Sequence, residues 1–298
     1  MISIVITSFN EAEIVGKSIK SILENEIKEE FELIVVAPDK ATEEVVKQIS
    51  KEYKEIKYFK DPGKGKSYAL NLVFKILKGR IWIFTDGDTC ISKNAIKEIV
   101  EKFKDKSVGC VTGRPVSLNK KNKILGFWSH LLFDAGAHNI RKELDKKNRF
   151  LECSGYLFAF KNNITRNVPL NVAEDTIIPY LVTKKGYRIR YAEKALVYVQ
   201  NPTLLKDFIK QRVRTAKAHE TLERYAPFFP KVKSFTNEVR KGTLWALQYP
   251  KNIKEYIWTL FLFVIRLYIW ILVKVEHYIF KREYGDGWER VETTKLLR

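Results

Sequence analysis

Up to about residue 115 the chain repeats one rhythm: a short run of β-branched or aromatic residues, then a segment whose apolar positions recur at helical spacing. The runs are "ISIVIT" at 2 to 7, "FELIVVA" at 31 to 37, "IKYF" at 56 to 59, "IWIF" at 81 to 84 and "SVGCVTG" at 107 to 113. Between them, Ile14, Ile19, Ile22 and Leu23, then Val45, Val46 and Ile49, then Ala69, Leu72, Val73 and Ile76 mark the inner faces of successive helices. Strands that alternate with helices and are apolar almost throughout predict an α/β fold of nucleotide-binding type, its sheet mostly parallel and covered on both faces.

After residue 115 the rhythm changes. "NKILGFWSHLLFDAGAHNIRKEL" predicts helix, "YLFAFKNN" a strand, and "AEDTIIPYLVTKKGYRIRYAEKALVYV" a helix followed by strands. "TLLKDFIKQRVRTAKAHETLERY" reads as a basic amphipathic helix. This half is expected to lie against the edge of the first sheet. No Pro/Gly/Ser linker divides the chain, but its character shifts near residue 220, so residues 1–220 are expected to form one domain and residues 221–298 a basic, hydrophobic helical extension.

Within the extension, Ile257 to Val273, "IWTLFLFVIRLYIWILV", approaches the length of a membrane span, yet Arg266 interrupts it. A charge there costs about 2.5–3.5 kcal/mol on insertion scales. Trp258, Tyr268 and Trp270, with Lys274, Lys281 and Arg282 beyond, suit a helix held at the lipid interface. A core helix of a soluble fold is the competing reading, and spanning versus lying in the interface stays open.

With 45% hydrophobic and 30% charged residues among 298, the composition is that of a folded protein. The formal charge of +19 favours an anionic partner: nucleic acid, an acidic membrane surface or phosphate-bearing molecules. Residues 200–298 hold 19 Lys and Arg against 10 Asp and Glu beside the most apolar stretch, which points to an anionic membrane surface and away from nucleic acid. Cys90, Cys110 and Cys153 show neither zinc nor disulfide-framework spacing, and "MISIVITSFNEAEIV" lacks the features of a signal peptide. The cytoplasmic face of the cell membrane is the expected location.

Ligands of open α/β sheets bind at the carboxyl ends of the strands, and three polar clusters fall there: Thr7, Ser8, Asn10 and Glu11, then Asp39, then "DGD". Singly, each is also what a turn or helix cap looks like. Asp86 and Asp88 point to one side of extended chain, and carboxylates so close repel unless a cation joins them. The pair is expected to hold Mg2+ or Mn2+ shared with a diphosphate; an Asp-Gly turn followed by an Asp cap competes. "DPGKGKSYALN" brings Lys64 and Lys66 to a helix N-terminus suited to phosphate or sugar, while P-loop and GxGxxG patterns are absent. Glu174 and Asp175 open a later helix from which a carboxylate could take a proton from a hydroxyl. Arg212 and Arg214 could clamp a diphosphate, and the histidines have no ligand spacing among them.

In their order, "SIVITSFNEA", Asp39, "GKGKSYALN", "DGD", "CSGYLFAFKNN", "AEDTIIPYLVTKKGY" and "QRVRTA" resemble the family-two inverting glycosyltransferases of GT-A fold, over roughly residues 1 to 220. The resemblance implies a nucleotide-sugar donor, probed by Thr7, Asn10, Glu11, Asp39, Lys64, Lys66 and Asp86, with its metal on Asp86 and Asp88. It also implies an acceptor floor at Ser154 and Gly155, a general base at Asp175 with Glu174 beside it, and a diphosphate clamp of Arg212 and Arg214. The acceptor implied is a glycan or a polyprenyl-lipid-linked sugar. Two departures stand out: the Asp-rich turn after the second strand keeps only Asp39 and Thr42, and the QxxRW signature of processive synthases reads Gln211, Arg214, Thr215. Loss of the tryptophan favours adding one sugar or a few. "DGWERVETTK" resembles cytoplasmic tails of membrane-linked members, which would make the preceding helix interfacial or re-entrant.

Two other readings compete. A sugar nucleotidyltransferase would show a Gly-rich basic loop after the first strand, whereas "TSFNEAE" has no glycine. A non-catalytic basic protein would bind RNA or membrane by charge alone, with steep salt dependence and no need of metal.

Overall fold

The computed structural model describes residues 1–227, 229, 242–279, 285 and 294. Lys281, Arg282 and, except for Thr294, the tail motif at 286–295 lie outside the described residues, as does part of the predicted extension.

Among the described residues one sheet holds eight strands: β1 (Ile2–Thr7), β2 (Phe31–Ala37), β3 (Ile56–Lys60), β4 (Ile81–Asp86), β5 (Cys90–Ile91), β6 (Val108–Ser117), β7 (Leu157–Lys161) and β8 (Arg188–Val199). Their order is β3-β2-β1-β4-β7-β6-β8-β5. The first half is parallel, as expected, with β2 and β4 flanking β1. β7 inserts antiparallel between β4 and β6, so the sheet is mixed.

Side-chain alternation explains why the early strands are apolar on both sides. Ile4 and Ile6 of β1, Leu33 and Val35 of β2, and Ile81 and Ile83 of β4 pack on one face. Val5, Ile34, Val36, Trp82 and Phe84 pack on the other. The second face is aromatic: Phe74 stacks on Trp82 at 5.2 Å, and Phe84 stacks on Phe160 at 5.2 Å.

The helices are α1 (Ala12–Leu23), α2 (Lys40–Ile49), α3 (Lys66–Val73), α4 (Ala95–Lys102), α5 (Ile124–Phe133), α6 (Asn139–Lys146), α7 (Glu174–Lys184), α8 (Leu205–Thr221), α9 (Thr243–Gln248) and α10 (Ile253–Tyr278). Four expectations are refined. α3 ends at Val73, leaving Ile76 45% exposed instead of on a buried helical face. α5 and α6 are joined by a π-helical turn, Asp134–His138. The strands expected after α7 are a single strand, β8, whose pairing with β6 shifts register. The two-residue β5, unforeseen, pairs with β8.

α10 packs against α5 and α8 through Phe127, Trp128, Phe208, Leu262, Ile269, Trp270 and Val273. Trp128 Nε1 donates a hydrogen bond to the carbonyl oxygen of Trp258 at 2.7 Å, tying α10 to α5. Trp128→Phe keeps most of the apolar contact and deletes this bond, so it is expected to cost about 1 kcal/mol in urea unfolding; an unchanged midpoint would show that the bond contributes nothing. The opposite side of α10 is bare: Ile253, Ile257, Leu260, Val264 and Ile271 are each at least half exposed. Residues 253–276 are, among the described residues, long and apolar enough to cross a membrane, with an 18-residue stretch of mean hydropathy 2.1.

Candidate active site

The parallel register sets Thr7, last residue of β1, beside Asp86, last residue of β4. Thr7 Oγ1 donates to Asp86 Oδ1 at 3.1 Å, and the Gly87 amide donates to the Thr7 carbonyl at 2.8 Å. The β1–α1 loop closes over this tip: a Cβ on Gly87 would stand 2.6 Å from both Glu11 Oε2 and Ser8 Oγ, and Ser8 Oγ donates to Glu11 Oε2 at 3.0 Å. Gly87→Ala must push this loop away. It is expected to cost about 1–3 kcal/mol and to weaken nucleotide binding; a variant of wild-type stability would contradict this packing.

Asn10 has a left-handed backbone, φ 55, which turns its amide to Asp39 Oδ2 at 2.9 Å. The other oxygen of Asp39 caps α2 by accepting from the Thr42 amide at 2.8 Å. Asp39 therefore ties the β1 and β2 loops together as well as capping a helix, both at the carboxyl edge of the sheet.

α3 starts after Gly65, whose φ of 108 few other residues adopt. The turn delivers Lys66 Nζ to 2.7 Å from Asp86 Oδ1 and 2.7 Å from Glu174 Oε1. Burial works to discharge this ammonium, but the charges and hydrogen bonds of Asp86 and Glu174 outweigh it and hold the pKa well above that of an ordinary lysine. Lys64, by contrast, is exposed, its Nζ 5.4 Å from the Tyr68 ring centre.

Asp175 sits in the first turn of α7, facing the positive end of the helix dipole. The Gly155 amide donates to its Oδ2 at 3.0 Å. A Cβ on Gly155 would stand 3.2 Å from the same oxygen. Ser154 is fixed in turn by its amide, which donates to Thr112 Oγ1 at 2.9 Å. Next along the chain, burial pushes the Tyr156 hydroxyl up to about 12, against the pull of Arg212 and with the push of Asp88, Asp86 and Asp175.

Of the residues expected at the site, Asp86, Ser154, Gly155, Asp175 and Arg212 line one cavity of about 580 Å³ together with Tyr156, whereas Thr7, Asn10, Glu11, Asp39, Lys66 and Asp88 are not among the described residues on its wall. Arg212 lays its guanidinium over the Phe208 ring at 5.3 Å. Lys64 and Arg214 are not among the described residues on this wall, and Glu174 is only 4% exposed, its carboxylate engaged by Lys66. The wall also holds residues that the sequence did not single out, among them Tyr156, which directly follows the "CSG" segment, the buried Arg141 of α6 and Arg266 of α10. The charge that seemed to interrupt a lipid-facing helix instead faces this site.

Among the described residues no three His, Cys, Asp or Glu side chains come together as a metal cage. The Asp86–Asp88 pair offers the hard oxygen donors that Mg2+ or Mn2+ take, and such an ion commonly completes its shell with substrate phosphates. Lys66 Nζ and Thr7 Oγ1 both engage Asp86 Oδ1, so of this carboxylate Oδ2 is the oxygen such an ion would take. The donor chemistry of the pair suits the ion.

The poly-beta-1,6-N-acetyl-D-glucosamine synthase of Staphylococcus epidermidis is 26% identical over 281 residues, 91% of this chain and 65% of the synthase. The synthase of Staphylococcus aureus strain COL is 26% identical over 277 residues, 90% of this chain and 64% of the synthase. The chain thus spans slightly under two thirds of these relatives. The mannosyltransferase PcManGT from Pyrobaculum calidifontis, in complex with GDP-Man and Mn2+, aligns with TM-score 0.67 at 16% identity, covering 94% of this chain and 88% of that one. TarS 1-349 of S. aureus, in complex with UDP-GlcNAc, aligns with TM-score 0.51 at 15% identity, covering 93% and 91%. The fold is the expected GT-A arrangement. A model of the family described as "Glycosyltransferase like family 2" matches residues 1–218, and the chain belongs to that family.

Proposed function

We propose that the chain is an inverting, non-processive glycosyltransferase that moves a sugar from a UDP-linked donor to a hydroxyl of a lipid-linked or surface glycan. The observation that carries this reading is that Asp86, Asp175 and Arg212, from three distant parts of the chain, line one cavity. The names of the relatives agree with a nucleotide-sugar donor, although UDP-GlcNAc and GDP-Man differ in base and sugar.

In this mechanism Thr7, Asn10, Glu11 and Asp39 bound the nucleoside pocket, while Lys66 orients Asp86 and Glu174. Asp86 and Asp88 would hold Mg2+ or Mn2+, which would supply positive charge to the departing diphosphate, and Lys64, Arg212 and Arg214 would add theirs. Asp175, oriented by the Gly155 amide, takes the proton of the acceptor hydroxyl. The oxygen forms its bond to the anomeric carbon as the bond to the diphosphate oxygen breaks on the opposite face, and the electron pair leaves with the diphosphate. Ser154 and Gly155 carry the acceptor. Thr215, where processive synthases have tryptophan, is on the cavity wall and offers no aromatic platform, which supports single addition.

Residues 1–220 are read as the catalytic domain, and residues 221–298 as an extension that docks on an anionic membrane at its cytoplasmic face. Charge complementarity supports this occupant: the net +19 accompanies the bare apolar side of α10. Incubation with nucleotide sugars and a lipid-linked acceptor should release nucleoside diphosphate and yield product of inverted anomeric configuration. Retained configuration would refute the mechanism, and pyrophosphate from sugar phosphate and nucleoside triphosphate would replace it with nucleotidyl transfer.

A further inference from the structure

Lys66 Nζ stands 2.7 Å from Asp86 Oδ1 and 2.7 Å from Glu174 Oε1, one acid at the tip of β4 and the other at the start of α7. The ground on either side of the lysine is fixed. Ser67 Oγ donates to the Val172 carbonyl at 3.3 Å. Asn71 clamps Val168 both ways, its Nδ2 donating to the carbonyl at 2.8 Å and its Oδ1 accepting from the amide at 2.7 Å. α3 therefore holds the segment that leads into Glu174, and what stays adjustable is how the ammonium divides itself between two acids. Asp86 Oδ1 also accepts from Thr7 Oγ1 at 3.1 Å, so a divalent ion at Asp86 would take Oδ2 and share the carboxylate with the ammonium. Two cations on one carboxylate repel each other, and with the lysine side chain only 16% exposed, solvent and salt screen little of that repulsion.

We propose that Lys66 sets the affinity of the Asp86–Asp88 pair for a divalent ion and holds it low, with Glu174 as the counterweight that draws the ammonium off Asp86. A lysine suits this task because it is a compact charge with three donors on a flexible stem, able to lean on Glu174 without leaving Asp86. An arginine fork would be tied to one planar geometry. Glu174, whose side chain is 6% exposed, thereby has a part of its own beside Asp175. The inference rests on the glycosyltransferase reading only in naming a nucleoside diphosphate as the anion that relieves the repulsion. Ion and nucleotide then strengthen each other's binding by one and the same factor.

The test is titration of the full chain with Mn2+, the free ion read by electron paramagnetic resonance, with and without UDP. Without UDP, Lys66→Met should bind Mn2+ about tenfold or more tightly than the wild type, since the competing charge is gone. Glu174→Gln should bind it about threefold or more weakly, since a nearby negative charge is lost and the ammonium settles on Asp86 alone. A fold that was merely loosened would weaken both, so the opposite signs are the signature. Adding Asp88→Asn to Lys66→Met should abolish the gain, and a gain that survived would overturn the proposal by placing the ion elsewhere. Wild-type or weaker Mn2+ binding in Lys66→Met overturns it too, as does a shift of both variants in one direction. Should Lys66→Met fail to fold, Glu174→Gln decides: weaker binding supports the proposal, and unaltered or tighter binding overturns it. If the variants shift as expected but UDP does not strengthen Mn2+ binding by the wild type, the lysine's control of the ion stands and the glycosyltransferase reading fails. If UDP does strengthen it but Lys66→Met binds Mn2+ like the wild type, that reading stands and this inference fails.

Discussion

Asp175→Asn should lower sugar transfer by about 10²- to 10⁴-fold, the usual contribution of a general base, while nucleotide affinity stays within about twofold of the wild type. The asparagine keeps an oxygen to accept the Gly155 amide bond of 3.0 Å, so the α7 start should not move. What it lacks is the capacity to take a proton. Rate and affinity should therefore separate: in the proposed mechanism the donor sits against Asp86, which the substitution leaves untouched, and only the attack of the acceptor suffers. Steady-state transfer and equilibrium UDP titration on the same preparation check both halves. Undiminished turnover would move the base elsewhere, and a loss of UDP binding as large as the loss of rate would make Asp175 a donor residue.

Lys66→Met should have the largest effect on stability. Lys66 is the positive member of a three-residue ion network in which its side chain is 16% exposed, Asp86 25% and Glu174 6%. Removing it leaves two carboxylates, one of them buried, facing each other without compensation. Breaking a buried pair from one side costs about 3–5 kcal/mol, and the partial exposure of Asp86 puts the expectation at the lower end. The pH dependence has a definite sign. A lysine whose pKa is raised on folding stabilises fully below its unfolded value of about 10.4, and that stabilisation is lost as pH climbs through the raised folded value. The gap between wild type and Lys66→Met should be constant from pH 7 to 10 and narrow above. Melting temperatures across that range would show it; a gap that widened on the alkaline side would contradict the network.

The legible parts of the molecule were those written locally. β1, β2 and β4 announce themselves because burial on both sheet faces makes every residue apolar, and their polar ends mark the edge where Thr7, Asp39 and Asp86 gather. The direction of β7 was not legible, since "YLFAF" looks the same parallel or antiparallel and only its insertion between β4 and β6 decides. β5 is too short to carry any pattern. The Lys66 network joins residues 66, 86 and 174, and nothing local in the sequence links them. Arg266 misled for a physical reason: α10 is apolar on nearly every side, so periodicity could not say which face turns inward. Its neighbours Leu262 and Trp270, four residues to either side, are buried in the same inward stripe, and only the packing of α10 on α5 and α8 reveals that.

The acids at the tip of β4 and the acid on α7 are proposed to serve one reaction, Asp86 and Asp175 both lining its cavity. Titration of UDP into the wild type, Asp88→Asn and Asp175→Asn, each with and without Mn2+, tests it most directly. The account predicts binding that Mn2+ strengthens in the wild type and in Asp175→Asn, and a loss of that strengthening in Asp88→Asn. Nucleotide binding indifferent to Mn2+ in all three proteins, and weakened equally by salt, would contradict it.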